Sequence, residues 1–333
     1  MSAGITIAID VGSGLTKAKA QSVCAEFLSV CGPPLPEVFA LSQDPASYVR
    51  FGDKVFCVGE RALSAVRPDD ITDSRTDRWA TTDGYRALMY RGMAAVLPAG
   101  YNGRVRLATG LPIGCYRDAK DALLERLIGE HRFGCGGHQY KVVLRRQDTW
   151  VLPQALGLYL RHLELAPEAH EGRCGFIDVG TYTSGFLQVE NYSLLQFSTG
   201  SARVGVGDIK AGLAEWLRST YGMHATRSTV EAAISTGRIR VGSEWVDLAD
   251  AIADIALTCS EPLRAALRES WGSAKDSSVL VGGGGGRLLL PSVKTVFPHA
   301  RLMETPSPTL AVVEGFYAYA KSKGPRAVAA SVA

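Results

Sequence analysis

The stretch Ile5-Thr6-Ile7-Ala8-Ile9-Asp10-Val11-Gly12-Ser13-Gly14-Leu15-Thr16-Lys17 decides the fold of this chain, because it is met again about half a chain later. The second copy reads Gly175-Phe176-Ile177-Asp178-Val179-Gly180-Thr181-Tyr182-Thr183-Ser184-Gly185-Phe186-Leu187. Each copy is an apolar strand ending in Asp, a tight Gly/Ser/Thr turn and a second apolar strand, which predicts a β-hairpin. Backbone N–H groups of such a turn converge on an anion, and the Asp sits where a hydrated cation would lie. One copy alone also reads as a type I′ turn with an exposed lysine. A merely structural turn, however, has no reason to recreate a buried Asp at the matching place in each half, where an uncompensated carboxylate is costly. The pair therefore predicts a polyphosphate gripped by two hairpins from two related domains.

The remaining composition fits that reading. A chain of 333 residues with 46% apolar content can bury two cores of ordinary size. A formal charge of +3 with interspersed signs gives no reason to expect nucleic acid or a membrane surface as a direct partner. The seven cysteines include no C-x-x-C pair, so free thiols in a reducing cytoplasm are expected. The segment from His131 through Cys135 to His138 offers three soft ligands and no evident fourth, and its glycine pair reads as a turn rather than a zinc site. Neither a signal peptide nor a membrane-length apolar run is visible.

Along the chain, strand–turn–strand over 5–30 gives way to a Pro-rich break and short β-like segments, read as a small inserted subdomain over about 31–95. Helices are expected near Tyr85–Val96, over 117–132 from the spacing of Ala119, Leu123, Leu124, Leu127 and Ile128, and from Leu152 to Leu165. Val105 to Pro112 reads as a buried strand. In the second half, helices are expected over Ile209–Tyr221, Thr229–Thr236 and Ala249–Leu267, the last kinked or ended by Pro262. A short hairpin falls at Ile239–Val246 and a closing helix at Thr309–Ser322. Strands and helices thus alternate twice in similar order, as an α/β duplication would.

Ser13 and Gly14 with their backbone would cradle terminal phosphates, and Lys17 would add a point charge. Asp178, Gly180, Thr181 and Thr183 repeat that chemistry. The run Gly282-Gly283-Gly284-Gly285-Gly286 lies between apolar segments, unlike a polar linker. Since each glycine costs backbone entropy, the run is read as letting the main chain approach a flat ligand such as adenosine rather than as a packing device. Gln154 follows a proline at a helix start, where it either orients a water in line with a terminal phosphate or simply caps the helix.

These pieces in this order resemble the actin superfamily of ATPases, which includes Hsp70, hexokinase and the bacterial actins. Asp10 to Lys17 is similar to the first phosphate loop, Asp178 to Gly185 to the second, and Gln154-Ala155-Leu156-Gly157-Leu158-Tyr159 to the helix carrying the water-positioning Gln. Gly282 to Gly286 resembles the adenosine motif, and Pro308 to Gly315 the helix that crosses back to the first domain. Within the superfamily the resemblance is nearest to plasmid-segregation actins of the ParM/StbA type, with the Thr109-Gly110-Leu111-Pro112 turn and the compact length in common. Tyr182 departs from the small residues usual in the second loop.

The resemblance implies an actin-like α/β fold of duplicated domains around a central nucleotide cleft, with ATP and magnesium as cofactors. Domain I would be 1–155 plus 308–323, with the insertion at about 31–95. Domain II would be 156–307, with an inserted subdomain at about 210–267, and 324–333 would form a flexible tail. Asp10 and Asp178 would hold magnesium through water. Gly12, Ser13, Gly14, Lys17, Gly180, Thr181 and Thr183 would hold the phosphates, Gln154 would position the attacking water, and the glycine run would face adenosine. The implied partners are further copies of the chain, docked head-to-tail, and a DNA-binding adaptor at a centromere-like site, with no direct nucleic-acid contact and no membrane. The alternatives on the same fold are a small-molecule kinase, for which no carboxylate base is evident, and a cytoskeletal ATPase outside plasmid segregation.

Overall fold

The computed structural model describes residues 4–36, 44–74, 76, 78–166 and 172–323. The expected tail at 324–333 lies outside them. The chain forms two compact units. The first contains the chain up to Leu111, Cys115–Ala166 and the chain from Leu310 onward; the second contains Pro112–Gly114 and the chain up to Thr309.

In the first unit, β1 (Ile5–Val11), β2 (Leu15–Ala20) and β3 (Val23–Leu28) form an antiparallel meander. They are followed by β4 (Cys31–Gly32), β5 (Tyr48–Phe51), β6 (Lys54–Val58), α1 (Ala62–Ala65) and α2 (Asp83–Val96). Then come β7 (Asn102–Leu111), α3 (Ile113–Leu127), β8 (Gly129–Cys135), β9 (His138–Pro153) and α4 (Gln154–Leu165). The nine strands make one sheet in the order β3-β2-β1-β7-β9-β8-β5-β6-β4, in which β1, β7 and β9 are parallel neighbours.

Alternation along β1 and β2 sorts their side chains between two faces. Ile9 and Ala18, paired across the strands, meet Gly92 of α2 on one face. Asp10, Lys17 and Lys19 point to the other.

The second unit runs β10 (Arg173–Val179), β11 (Ser184–Glu190), β12 (Ser193–Ala202), α5 (Val206–Tyr221), α6 (Arg227–Thr236), β13 (Arg238–Val241) and β14 (Glu244–Asp247). It continues through α7 (Ala249–Cys259), α8 (Glu261–Trp271), β15 (Ser277–Gly282), α9 (Gly286–Lys294) and β16 (Arg301–Leu302). The closing helix α10 (Ala311–Ser322) returns to the first unit. The sheet order β12-β11-β10-β15-β16 repeats β3-β2-β1-β7-β9: an antiparallel meander followed by two parallel neighbours. The duplication expected from the two hairpins is therefore a duplication of topology.

Several boundaries differ from the sequence reading, each for a local reason. Residues 129–132 are strand, not helix: α3 ends at Leu127, and Gly129, at φ +128°, starts a hairpin whose turn is Gly136-Gly137 at φ +60° and +78°. The segment 31–95 does not separate from its surroundings. Strands β4–β6 extend the nine-stranded sheet, and α2 buries Leu88, Met89 and Met93 in the same core as Ile7 and Ile9. Helix α4 belongs to the first unit, past the expected boundary at 155/156, because Gly157 lies against the backbone of Val312 in α10. The 249–267 helix divides at Ser260, and Pro262 sits in the first turn of α8, where its missing N–H costs nothing. Within 210–267, Leu213, Leu217, Val230, Ile239 and Leu248 pack in one cluster, which Leu288 of α9 joins.

Among the described residues no helix is long and apolar enough to cross a membrane. All seven cysteines are free thiols.

Candidate functional site

In an open parallel sheet, ligands are met beyond the carboxyl ends of the strands. Strands β1, β7 and β9 run together in register, with Ile9 beside Thr109 and Thr109 beside Val151. Asp10 near the end of β1 and Gln154 just past the end of β9 are thereby brought together. Gln154 Nε2 donates to Asp10 Oδ1 at 2.8 Å, and Lys17 Nζ, the cross-strand partner of Asp10, lies 3.4 Å from Oδ2. Asp10 is only 2% exposed, so these two donors are what make a carboxylate tenable there. The choice left open for Gln154 is narrowed: its side chain reaches across the sheet rather than folding back on its own helix.

The turn between β1 and β2 closes with Gly12 N–H donating to Leu15 O at 3.1 Å. A Cβ on Gly12 would stand 2.9 Å from that oxygen. Two further bonds turn the loop's oxygens inward. Ser74 Oγ donates to Ser13 O at 2.9 Å, and Ser29 N–H to Gly14 O at 3.0 Å. Across a trans peptide the Gly14 N–H must then point opposite to the Ser13 carbonyl, the direction from which an anion would approach.

The second loop repeats the design. Asp178 pairs with Gly185 as Asp10 pairs with Lys17, and Gly180 N–H donates to Thr183 O at 3.0 Å. Here the inward oxygens are held by the start of α5: Val206 N–H donates to Gly180 O at 3.1 Å and Gly207 N–H to Thr181 O at 2.7 Å. The amides of Thr181 and Tyr182 face the other way by the same trans-peptide rule. Tyr182, the unusual residue in this loop, lays its ring against Gly207, where a Cβ would come within 2.6 Å of Cε1.

The glycine run does not act as one device, and the expectation that it has no packing role is corrected. Gly282 is the last residue of β15, directly beside Asp178. Gly283 takes φ +79°, and a Cβ there would collide with Asp178 Oδ1 and Val179 O. Gly285 has no room beneath Val206 and Val179, and Gly286 opens α9. Only Gly284 is exposed, with nothing nearer to a Cβ than Thr309 Cγ2 at 3.6 Å.

Sequence reasoning missed three supports of the loops: Ser74, Ser29 and the Gly205-Val206-Gly207 turn. The Gly-Val-Gly spacing just ahead of an amphipathic helix was a usable signal for the last. Ser74 and Ser29 are distant in sequence from the loop and carried none. The zinc alternative is not supported. His131 uses both ring nitrogens, Nδ1 with Tyr90 OH at 2.9 Å and Nε2 with Leu127 O at 2.8 Å. Among the described residues no three His, Cys, Asp or Glu side chains gather as a metal site.

Residues 8–157 match the family of actin-like protein N-terminal domains. A search of curated proteins finds no match. Solved structures show the actin-like fold over nearly the whole chain. A 15-stranded ParM filament from Clostridium botulinum matches with 20% identity and a TM-score of 0.76, covering 96% of this chain and 100% of that one. An archaeal actin homologue matches with 18% identity and a TM-score of 0.80, covering 96% and 99%. The same homologue in complex with ADP matches with 16% identity, a TM-score of 0.76 and the same coverages. The duplicated α/β architecture expected from the paired hairpins is thus the architecture of actin-like proteins.

Proposed function

We propose that this chain is an ATPase that binds ATP with magnesium and assembles head-to-tail with copies of itself into filaments in the cytoplasm. Its cargo would be plasmid DNA, engaged through a DNA-binding adaptor rather than directly. The observation that carries the ATPase reading is the hydrogen bond from Gln154 to the buried Asp10 beside an actin-like phosphate loop. With Nε2 committed to Asp10, the Gln154 Oε1 is the atom left to accept from a water and aim it at a terminal phosphate. The Gly14 amide and Lys17 would take phosphate oxygens; in the second loop, whose turn Gly180 closes, the amides of Thr181 and Tyr182 and the Thr183 hydroxyl would do so.

The residues fit magnesium held through water. Asp10 is a buried carboxylate at a strand end, Asp178 stands at the matching place, and no protein cage of three ligands is present among the described residues. Magnesium keeps most of its water and needs only one or two carboxylates plus phosphate. It would supply charge neutralisation on the phosphates. Assembly is supported by the fold shared with a ParM filament and rests on that likeness. A head-to-tail contact does not close on itself, so repetition yields a filament. Loss of the terminal phosphate would then weaken the assembled state.

The test is sedimentation and negative-stain imaging with ATP, ADP or no nucleotide, alongside phosphate release. ATP-dependent filaments and released phosphate are expected. Hydrolysis without assembly at high protein concentration would remove the filament reading, and transfer of phosphate to a small acceptor would replace it with a kinase.

A further inference from the structure

Asp10 is not the only carboxylate held between β2 and α4. Glu314, in the first turn of α10, places its carboxylate 3.5 Å from Lys19 Nζ of β2 and 3.0 Å from Arg161 Nε of α4. All three side chains are largely shielded, at 16% exposure for Lys19 and 13% for Glu314 and Arg161. Lys19 lies two residues beyond Lys17, on the same face of β2. Arg161 lies seven residues beyond Gln154, two turns along the same face of α4. The two partners of Asp10 and the two partners of Glu314 therefore sit on the same pair of elements.

The packing between α4 and α10 makes that ion pair a sensitive spacer. A Cβ on Gly157 would stand 2.7 Å from Val312 O, and one on Gly315 would run into the Gly157 carbonyl. At these two glycines the helices meet backbone to backbone. Glu314 is also the residue next to Gly315. The pull of its carboxylate on Arg161 acts at the crossing point itself.

We infer that Glu314 is a positioning residue: by tying Lys19 to Arg161 it sets the separation between Lys17 and Gln154 around Asp10, and so the aim of Gln154. This rests on the ATPase reading for its consequence in hydrolysis, but the spacing itself exists without nucleotide. The test uses the full chain with Glu314→Gln, which keeps size and removes charge, and with Glu314→Asp as the conservative variant.

In nucleotide-free protein, amide hydrogen exchange at 12–17 and 154–158 is expected to rise about tenfold in Glu314→Gln, with the second loop at 180–185 unchanged. With ATP, kcat should fall about tenfold while KM moves less than about twofold, and Glu314→Asp should restore part of the loss. Glu314→Gln on a Gln154→Ala background should add little, because both act through one group. Unchanged exchange in both segments would overturn the inference, as would additive losses. If Glu314→Gln does not fold, Lys19→Met loosens only the β2 half of the tie and is read the same way. If the wild type hydrolyses no ATP, the ATPase reading fails while the exchange result still decides the role of Glu314.

Discussion

Asp10 shows how one residue organises a site. A carboxylate with 2% exposure holds two donors from different elements, and one of them, Gln154, is the candidate for steering water. Removing that amide should leave nucleotide binding in place and damage the chemical step. Gln154→Ala is expected to lower phosphate release at saturating ATP by roughly 10–100-fold with KM little changed. Equal release by mutant and wild type would leave Gln154 as a structural donor to Asp10 alone. The glycine run makes a sharper prediction because its members differ. Gly283→Ala forces a side chain into φ +79° and against Asp178 Oδ1, and should cost about 1–3 kcal/mol in urea unfolding. Gly284→Ala, at the very next residue but in open surroundings, should stay within about 0.5 kcal/mol. Five identical letters hid this difference, since only the fold decides which glycine lies under Val206 and which faces solvent.

At the scale of elements, what was legible followed from periodicity and what was lost followed from its absence. The paired hairpins, α2, β7 and α4 were readable because apolar residues recur at one spacing through each. The hairpin of β8 and β9 was not, because Leu123, Leu127 and Ile128 carry a helical spacing up to Gly129. Beyond that, β9 is interrupted by the polar run Arg145-Arg146-Gln147-Asp148, where its pairing with β7 shifts register. That missed hairpin holds a titratable core group. On β8, His131 donates from Nε2 to Leu127 O, and its Nδ1 pairs with the Tyr90 hydroxyl.

Burial, reinforced by the nearby Arg86, pushes the His131 pKa below its ordinary 6.5. The unfolded chain therefore takes up a proton on falling through about 6.5 that the native state refuses, and stability drops until the pH reaches the native pKa. Urea midpoints at pH 7.5 and 5.5 should thus differ more in the wild type than in His131→Gln. Equal differences in the two proteins would mean that the ring is free to protonate in place.

At the scale of the whole molecule, five strands of the larger sheet share order, pairing sense and the loop-closing bond with the smaller sheet, yet the residue facing each Asp differs. The residue across from Asp10 is Lys17, whereas the residue across from Asp178 is Gly185. The first Asp therefore faces a lysine across the strand pair, and the second faces a glycine. ATP with magnesium is expected to raise the thermal midpoint of the wild type, by an amount equivalent to about 2.7 kcal/mol at a hundredfold excess over Kd. Asp178→Asn should lose most of the increment that magnesium adds to ATP. Asp10→Asn should lose that increment and also lower the midpoint of the free protein, since Lys17 is left without its charge partner. If Asp178→Asn responds to magnesium and ATP as the wild type does, the second hairpin is a structural echo of the first, and nucleotide binding belongs to the first unit alone.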